Sequence, residues 1–258
     1  MRYEVSDGIA LITLDRPERL NAINSVMSRE LPRVWRGFEA DASAVVAIVT
    51  GTGDRAFCTG ADLADLPEMI TDDVGNATIE SIRWTPLQNR VWKPVICALN
   101  GAVMGGGLHF VAECDVVLSA AHAEFSDPHV SVGLVSALET VVLARRAQIG
   151  TVLRLALGGR DEKITAQEAL RAGIVDQVCA PPMLLPEAHA LATRIARNSP
   201  TAMALTKRAI WGAKQAGLDE ASTEAWRMIA AHRDTPDFDE GIRAFAEKRP
   251  PRWARYGA

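Results

Sequence analysis

Apolar residues fall into two kinds of run along the chain. Residues 44–50 (AVVAIVT) are an unbroken apolar stretch closed by Gly51-Thr52-Gly53, the pattern of a strand buried on both faces. Residues 93–100 (KPVICALN), 114–120 (CDVVLSA) and, more weakly, 174–178 repeat that form, and residues 8–15 (GIALITLD) make a β-rich run stopped by Arg16-Pro17. Between the first two runs, residues 21–38 carry apolar positions at helical spacing. Strands separated by helical segments predict an α/β core with a mostly parallel sheet and right-handed crossovers. From about Ala188 the pattern turns helical, over 188–196, 200–216 and 221–232. This predicts a core of residues 1–187 and a helical region, 188–258, that belongs to the same structural unit and packs on the core or on a neighbour.

Composition narrows the classes without choosing a function. At 258 residues, 48% apolar and 23% charged, the chain is too hydrophobic for disorder and too poor in cysteine for a disulfide scaffold. A net charge of −4 argues against a nucleic-acid surface, so an anionic ligand has to be held by local cations. Cys58, Cys97, Cys114 and Cys179 form no C-x-x-C pair and lie in or beside apolar stretches, which predicts reduced thiols and a cytoplasmic protein. No run approaches the roughly 18 apolar residues of a membrane span, so no membrane partner is expected.

Two strand ends carry unusual chemistry. Residues 55–63 (RAFCTGADL) follow the apolar strand and its Gly-Thr-Gly turn, and small residues at 59–61 would let an Ala61 N–H meet a ligand oxygen. The competing reading is a simple turn into a helix capped by Asp62. Residues 100–109 (NGAVMGGGLH) place three glycines at the start of a helix, where unobstructed amides suit an anion or a developing oxyanion. They do not fit a nucleotide P-loop. Both loops sit at ends of parallel strands, where ligands of open α/β sheets bind.

Together with residues 15–22 (DRPERLNA), 125–133, 158–166 and 245–249 (FAEKR), these segments resemble the crotonase superfamily, the enoyl-CoA hydratase and isomerase family. The resemblance runs through nearly the whole chain in order. It implies the crotonase (ClpP-like) fold, a spiral core of repeated ββα units with a C-terminal helical trimerisation region. It implies a homotrimer or a dimer of trimers, and a coenzyme A thioester as substrate, with no permanently bound cofactor. The Ala61 and Gly106 amides would receive the thioester oxygen. Leu20, Ala22, Thr59, Asp62, Leu63, Ala64 and Gly107 would line the substrate cleft, and Arg19, Phe245 and Lys248 would reach the CoA, the last two from the tail of the same or an adjacent subunit.

The departures are specific. Hydratases of this family hold water between two glutamates, and here those positions are His109 and His129, with the 20-residue spacing retained. Imidazole is better matched to neutral pH than a carboxylate, yet offers one acceptor when neutral and none when charged, which argues against the ordinary two-carboxylate hydration geometry. Glu139 is the acid in the following loop that could orient His129 as a dyad; a surface helix glutamate is the alternative. His109 and His129 would serve as acid/base groups; the competing reading of His109 is a buried histidine bonded to Glu113 one turn on, and Asp127 reads as a turn residue before Pro128. No metal-ligand spacing is recognised. Besides enolate chemistry on a thioester, the histidines leave open carbon-carbon bond hydrolysis of a β-diketone and a non-catalytic acyl-CoA-binding protein.

Overall fold

The computed structural model describes residues 1–66 and 82–256. Its strands form two sheets. The larger has the order β1 (Arg2–Ser6), β2 (Ile9–Leu14), β3 (Val46–Gly51), β5 (Val95–Leu99), β7 (Val116–Ala120) and β10 (Gln177–Cys179). The smaller has β4 (Ala56–Cys58), β6 (Ala102–Met104), β8 (Glu124–Ser126) and β9 (Ile164–Thr165). Pairing is parallel except for β1 with β2 and β8 with β9.

Three successive strand pairs explain the spiral. In β3–β4, β5–β6 and β7–β8 the first strand joins the larger sheet and the second joins the smaller, so each turn of chain lengthens both. This is the mixed α/β architecture with parallel sheets expected from the pattern of runs. The extra antiparallel β1 arises from the Asp7-Gly8 turn, whose φ values of 51° and 77° match a tight hairpin.

Period-two alternation decides what each face of the larger sheet covers. Val46, Ile48, Ile96, Ala98, Leu118 and Ala120 pack under Leu184, Ala188 and Ala192 of the helix Leu184–Ile195. Ala47, Val49, Val95, Cys97, Leu99 and Val117 face the main core. Covered on both sides, these strands read as unbroken apolar runs. Residues 187 and 188, where the helical region was expected to begin, both lie inside that sheet-covering helix.

The first long helix, Ser25–Ala40, starts where Asn24 caps it by accepting from Met27 N at 3.0 Å. It buries Met27, Leu31, Trp35 and Phe38 as one stripe, each contributing about 1.5–3 kcal/mol. Helical spacing alone started it at residue 21, but Asn21 is a buried loop residue in the left-handed region (φ 55°).

Lys207 fastens the helix Pro200–Ala213 to the core, donating to Lys93 O at 2.9 Å and pairing with Asp115 at 2.7 Å. The next helix, Leu218–His232, buries none of its residues and exposes Leu218, Trp226 and Ile229. No helix among the described residues is long and apolar enough to cross a membrane. All four cysteines are buried free thiols, and burial pushes Cys58 up to about 12, far from thiolate reactivity.

Candidate active site

The two glycine-bearing loops meet backbone to backbone. After β4 the chain crosses Ile23, whose N–H donates to Gly60 O at 2.7 Å and whose carbonyl accepts from Asp62 N at 2.9 Å. Gly60 has φ +86°, and a Cβ there would stand 2.9 Å from Gly106 N and 3.2 Å from Met104 O. A Cβ on Gly107 would meet Cys58 O at 2.4 Å. Only glycine permits this approach, which sets the Ala61 and Gly106 amides on directly apposed loops. The helix after the glycines, Leu108–Glu113, has six residues, so local amides rather than a long helix dipole set the field there.

One guanidinium ties the 16–22 loop to this junction. Arg16 donates to Ala22 O at 2.6 Å and to Asp62 Oδ2 at 2.9 Å, and Thr59 Oγ1 donates to Leu20 O at 3.3 Å. Burial pushes the Asp62 carboxyl up, but the Arg16 bond, the Ala64 N–H and the Arg16 charge outweigh it and hold it below its usual range. Leu20, Ala22, Thr59 and Asp62 are therefore neighbours, with Asp62 buried and committed to Arg16. Beside them Arg19 and Ala64 are exposed, as is Leu63 at 73%. Phe245, 89% exposed, and Lys248 stand on the C-terminal segment; among the described residues no hydrogen bond or ion pair ties them to either loop.

Behind the glycine loop lies a chain of ionisable groups. His109 is buried edge-on against Trp84, with ring centroids 6.0 Å apart. Its Nδ1 faces Gln88 Nε2 at 3.4 Å, and Glu113 is 3.9 Å away, outside hydrogen-bond reach, so the one-turn bond of the competing reading does not form. Glu113 instead accepts from the Thr85 hydroxyl and from Gln88 Nε2.

Glu139 is buried at the start of the helix Leu138–Leu143, which overturns the surface alternative. Its two oxygens reach both rings, Oε2 at 3.6 Å from His109 Nε2 and Oε1 at 3.1 Å from His129 Nδ1. The fold thus brings a carboxylate back between the two histidines, from a different stretch of chain.

Asp127 is the expected turn residue, its Oδ1 accepting the His129 backbone N–H at 3.3 Å, and it also contacts the His129 ring. It is fully buried, its Oδ1 lies 2.6 Å from His129 Nδ1, and its Oδ2 accepts the Ser136 hydroxyl. The Asp127 bond raises the His129 pKa above its usual value; burial of the ring opposes this, while the charges of Glu139 and Asp127 add to it. Burial pushes Asp127 up, but the bonds from His129 and Ser136 more than offset it, leaving a carboxylate below its usual range. Ser136 did not stand out in the sequence, and Asp127 did so only as a turn residue; an acid two residues before a candidate histidine was the available signal for its second role.

The ring of His129 closes the arrangement, since a Cβ on Gly105 would touch its Cε1 at 3.4 Å. The His129 ring and the glycine loop are therefore contiguous. Asp127, His129 and Glu139 each offer a ligand atom within 4.8 Å of one another. Two ligands on a tetrahedral zinc would stand about 3.3 Å apart. The 2.6 Å contact between Asp127 and His129 is a hydrogen bond.

Residues 4–256 match the family model described as enoyl-CoA hydratase/isomerase. The chain is 32% identical to (E)-benzylidenesuccinyl-CoA hydratase of Thauera aromatica over 96% of each chain, and 33% identical to a short-chain-enoyl-CoA hydratase of Clostridium acetobutylicum over 95% of this chain and 94% of that one. A solved enoyl-CoA hydratase/isomerase from Mycobacterium paratuberculosis superposes with a TM-score of 0.90 at 36% identity, covering 98% of this chain and 97% of that one. With its paired sheets, apposed glycine loops and acid/base cluster, the chain belongs to the enoyl-CoA hydratase/isomerase family.

Proposed function

We propose that the protein acts on an acyl-CoA or enoyl-CoA thioester, stabilising an enolate at the Ala61 and Gly106 amides and moving protons with His109 and His129, which Glu139 orients. The observation that carries this reading is the close approach to the glycine loop of both Gly60, where a Cβ would stand 2.9 Å from the Gly106 amide, and the His129 ring, 3.4 Å from a Cβ placed on Gly105. In hydration, water oxygen bonds to the β-carbon as an imidazole takes its proton, the C=C electrons move onto the thioester oxygen, and the α-carbon then recovers a proton. Two amides aimed at that oxygen supply about 3 kcal/mol each in the transition state. His129, with its side chain 25% exposed, is the more accessible base; His109 is enclosed by Gln88, Glu113 and Glu139.

The relatives named above act on different acyl groups, so the CoA thioester is the common part. Arg19 would meet its phosphates, and Phe245 and Lys248 would do so across an interface in a homotrimer or dimer of trimers, a state readable by light scattering.

The test is loss of enoyl-thioester absorbance with crotonyl-CoA. Turnover abolished by His129→Ala supports the reading; no turnover across acyl chain lengths sinks it. An imidazole flanked by two carboxylates also favours a second reading, in which it activates water to attack a β-diketone carbonyl, the carbon-carbon bond breaks and the departing enolate takes up a proton. Calorimetric binding of a CoA thioester would count against that alternative.

A further inference from the structure

We infer that Asp127, braced by Ser136, is a positioning residue that fixes His129 in one tautomer and one orientation, leaving Nε2 as the working nitrogen. The inference rests on the proposed role of His129 as an acid/base group, and it assigns to Asp127 the orienting task first given to Glu139.

The geometry separates the two acids. Asp127 grips His129 twice through Oδ1, at Nδ1 (2.6 Å) and at the backbone N–H (3.3 Å), while Oδ2 is taken by Ser136. Pro128, between them, starts the turn His129–Val132, so the acid and the ring are held by adjoining backbone. Glu139 is farther from Nδ1 and divides itself between two rings. An ionised carboxylate only accepts, so the proton on the shared axis belongs to Nδ1 and the neutral ring keeps its lone pair on Nε2. A ring free to flip would spend part of its time with the wrong nitrogen toward the substrate.

The charged groups facing His129 are Asp127 and Glu139, with His109 and Glu113 beyond Glu139. On the elements packed against its turn, Arg160 is spent on Ser131 O and Arg154 on Glu162. The net negative surroundings favour the imidazolium, in agreement with the raised pKa of His129. Neutral, base-competent His129 then forms only as pH rises through that raised value.

Asp127→Asn keeps shape and an acceptor oxygen while removing the charge. In the full-length protein, the His129 resonance, identified by its loss in His129→Gln, is titrated by carbon and nitrogen NMR. The expected results are a midpoint displaced toward the ordinary value of about 6.5 and loss of the single Nδ1–H tautomer. Ser136→Ala should move the midpoint the same way by less, and it keeps the test available if Asp127→Asn unfolds. With crotonyl-CoA, kcat in Asp127→Asn should fall about 100-fold or more, the acid limb of the pH profile should move to lower pH, and KM should change little. An unmoved midpoint and tautomer in both variants would overturn the inference. The NMR readout needs no turnover, so inactivity of the wild-type protein on every enoyl-CoA would defeat the proposed function alone.

Discussion

Replacing Gly60 by alanine tests whether the two loops work as an oxyanion site, because the structure separates the effects of that substitution. A left-handed conformation costs a side chain about 1–2 kcal/mol. Gly173 supplies the control, with φ +76° and a Cβ that would meet only ordinary contacts, the nearest Arg146 O at 3.7 Å. Gly173→Ala should therefore lose about 1–2 kcal/mol in urea unfolding and little activity. At Gly60 (φ +86°) the same strain is joined by a backbone clash, 2.9 Å to Gly106 N, a distance that real Cβ atoms essentially never show, and by a tight 3.2 Å contact to Met104 O. The loops must part by several tenths of an ångström, raising the total to about 2–4 kcal/mol and turning the Gly106 amide away. Loss of one oxyanion donor is worth about 3 kcal/mol, so kcat on crotonyl-CoA should drop by roughly 10²–10³ in the protein that remains folded. Gly60→Ala that is no less stable than Gly173→Ala and turns over at the wild-type rate would refute the reasoning.

Other outcomes follow from the same junction. Asn21 uses its buried side chain to accept from Arg16 N (3.0 Å) and to donate to Thr52 O (3.0 Å) and Ala56 O (2.8 Å), so Asn21→Ala should cost about 2–4 kcal/mol by chemical denaturation. Asp62→Asn weakens the tie to Arg16, and its effect has a definite pH sign. Because the folded pKa of Asp62 is depressed, the wild-type advantage is full above the unfolded-state value and disappears as pH falls through the folded one. Melting temperatures of the two proteins that stay equally far apart down to the most acidic measurable pH would contradict this assignment.

Much of the architecture was legible because burial on both faces leaves its mark on the sequence. The runs that became β2, β3, β5 and β7 were all recognisable, as were the helices over Pro200–Ala213 and Leu218–His232. The strands of the smaller sheet other than β9 have three residues each, too few for periodicity to register, and they exist because parallel neighbours from other turns of the spiral pair with them. The hairpin strand β1 was missed despite its Asp7-Gly8 turn, because it is five residues long, exposed throughout, and carries only Tyr3 and Val5 as alternating apolar positions.

The candidate site divides along the same line. The local sequence by itself determined that two glycine-bearing loops follow parallel strands and that imidazoles replace the family's paired carboxylates, since backbone approach and proton chemistry depend on residue type. Tertiary structure alone decided that Glu139 lies between both rings, that Asp127 is a buried partner of the His129 ring as well as a turn residue, and that Glu113 is drawn to Thr85 instead of His109. Hydrogen bonds and ion pairs depend on distances of a few tenths of an ångström between groups up to 30 residues apart in the chain, and only the packing of the helices behind the glycine loop sets those distances.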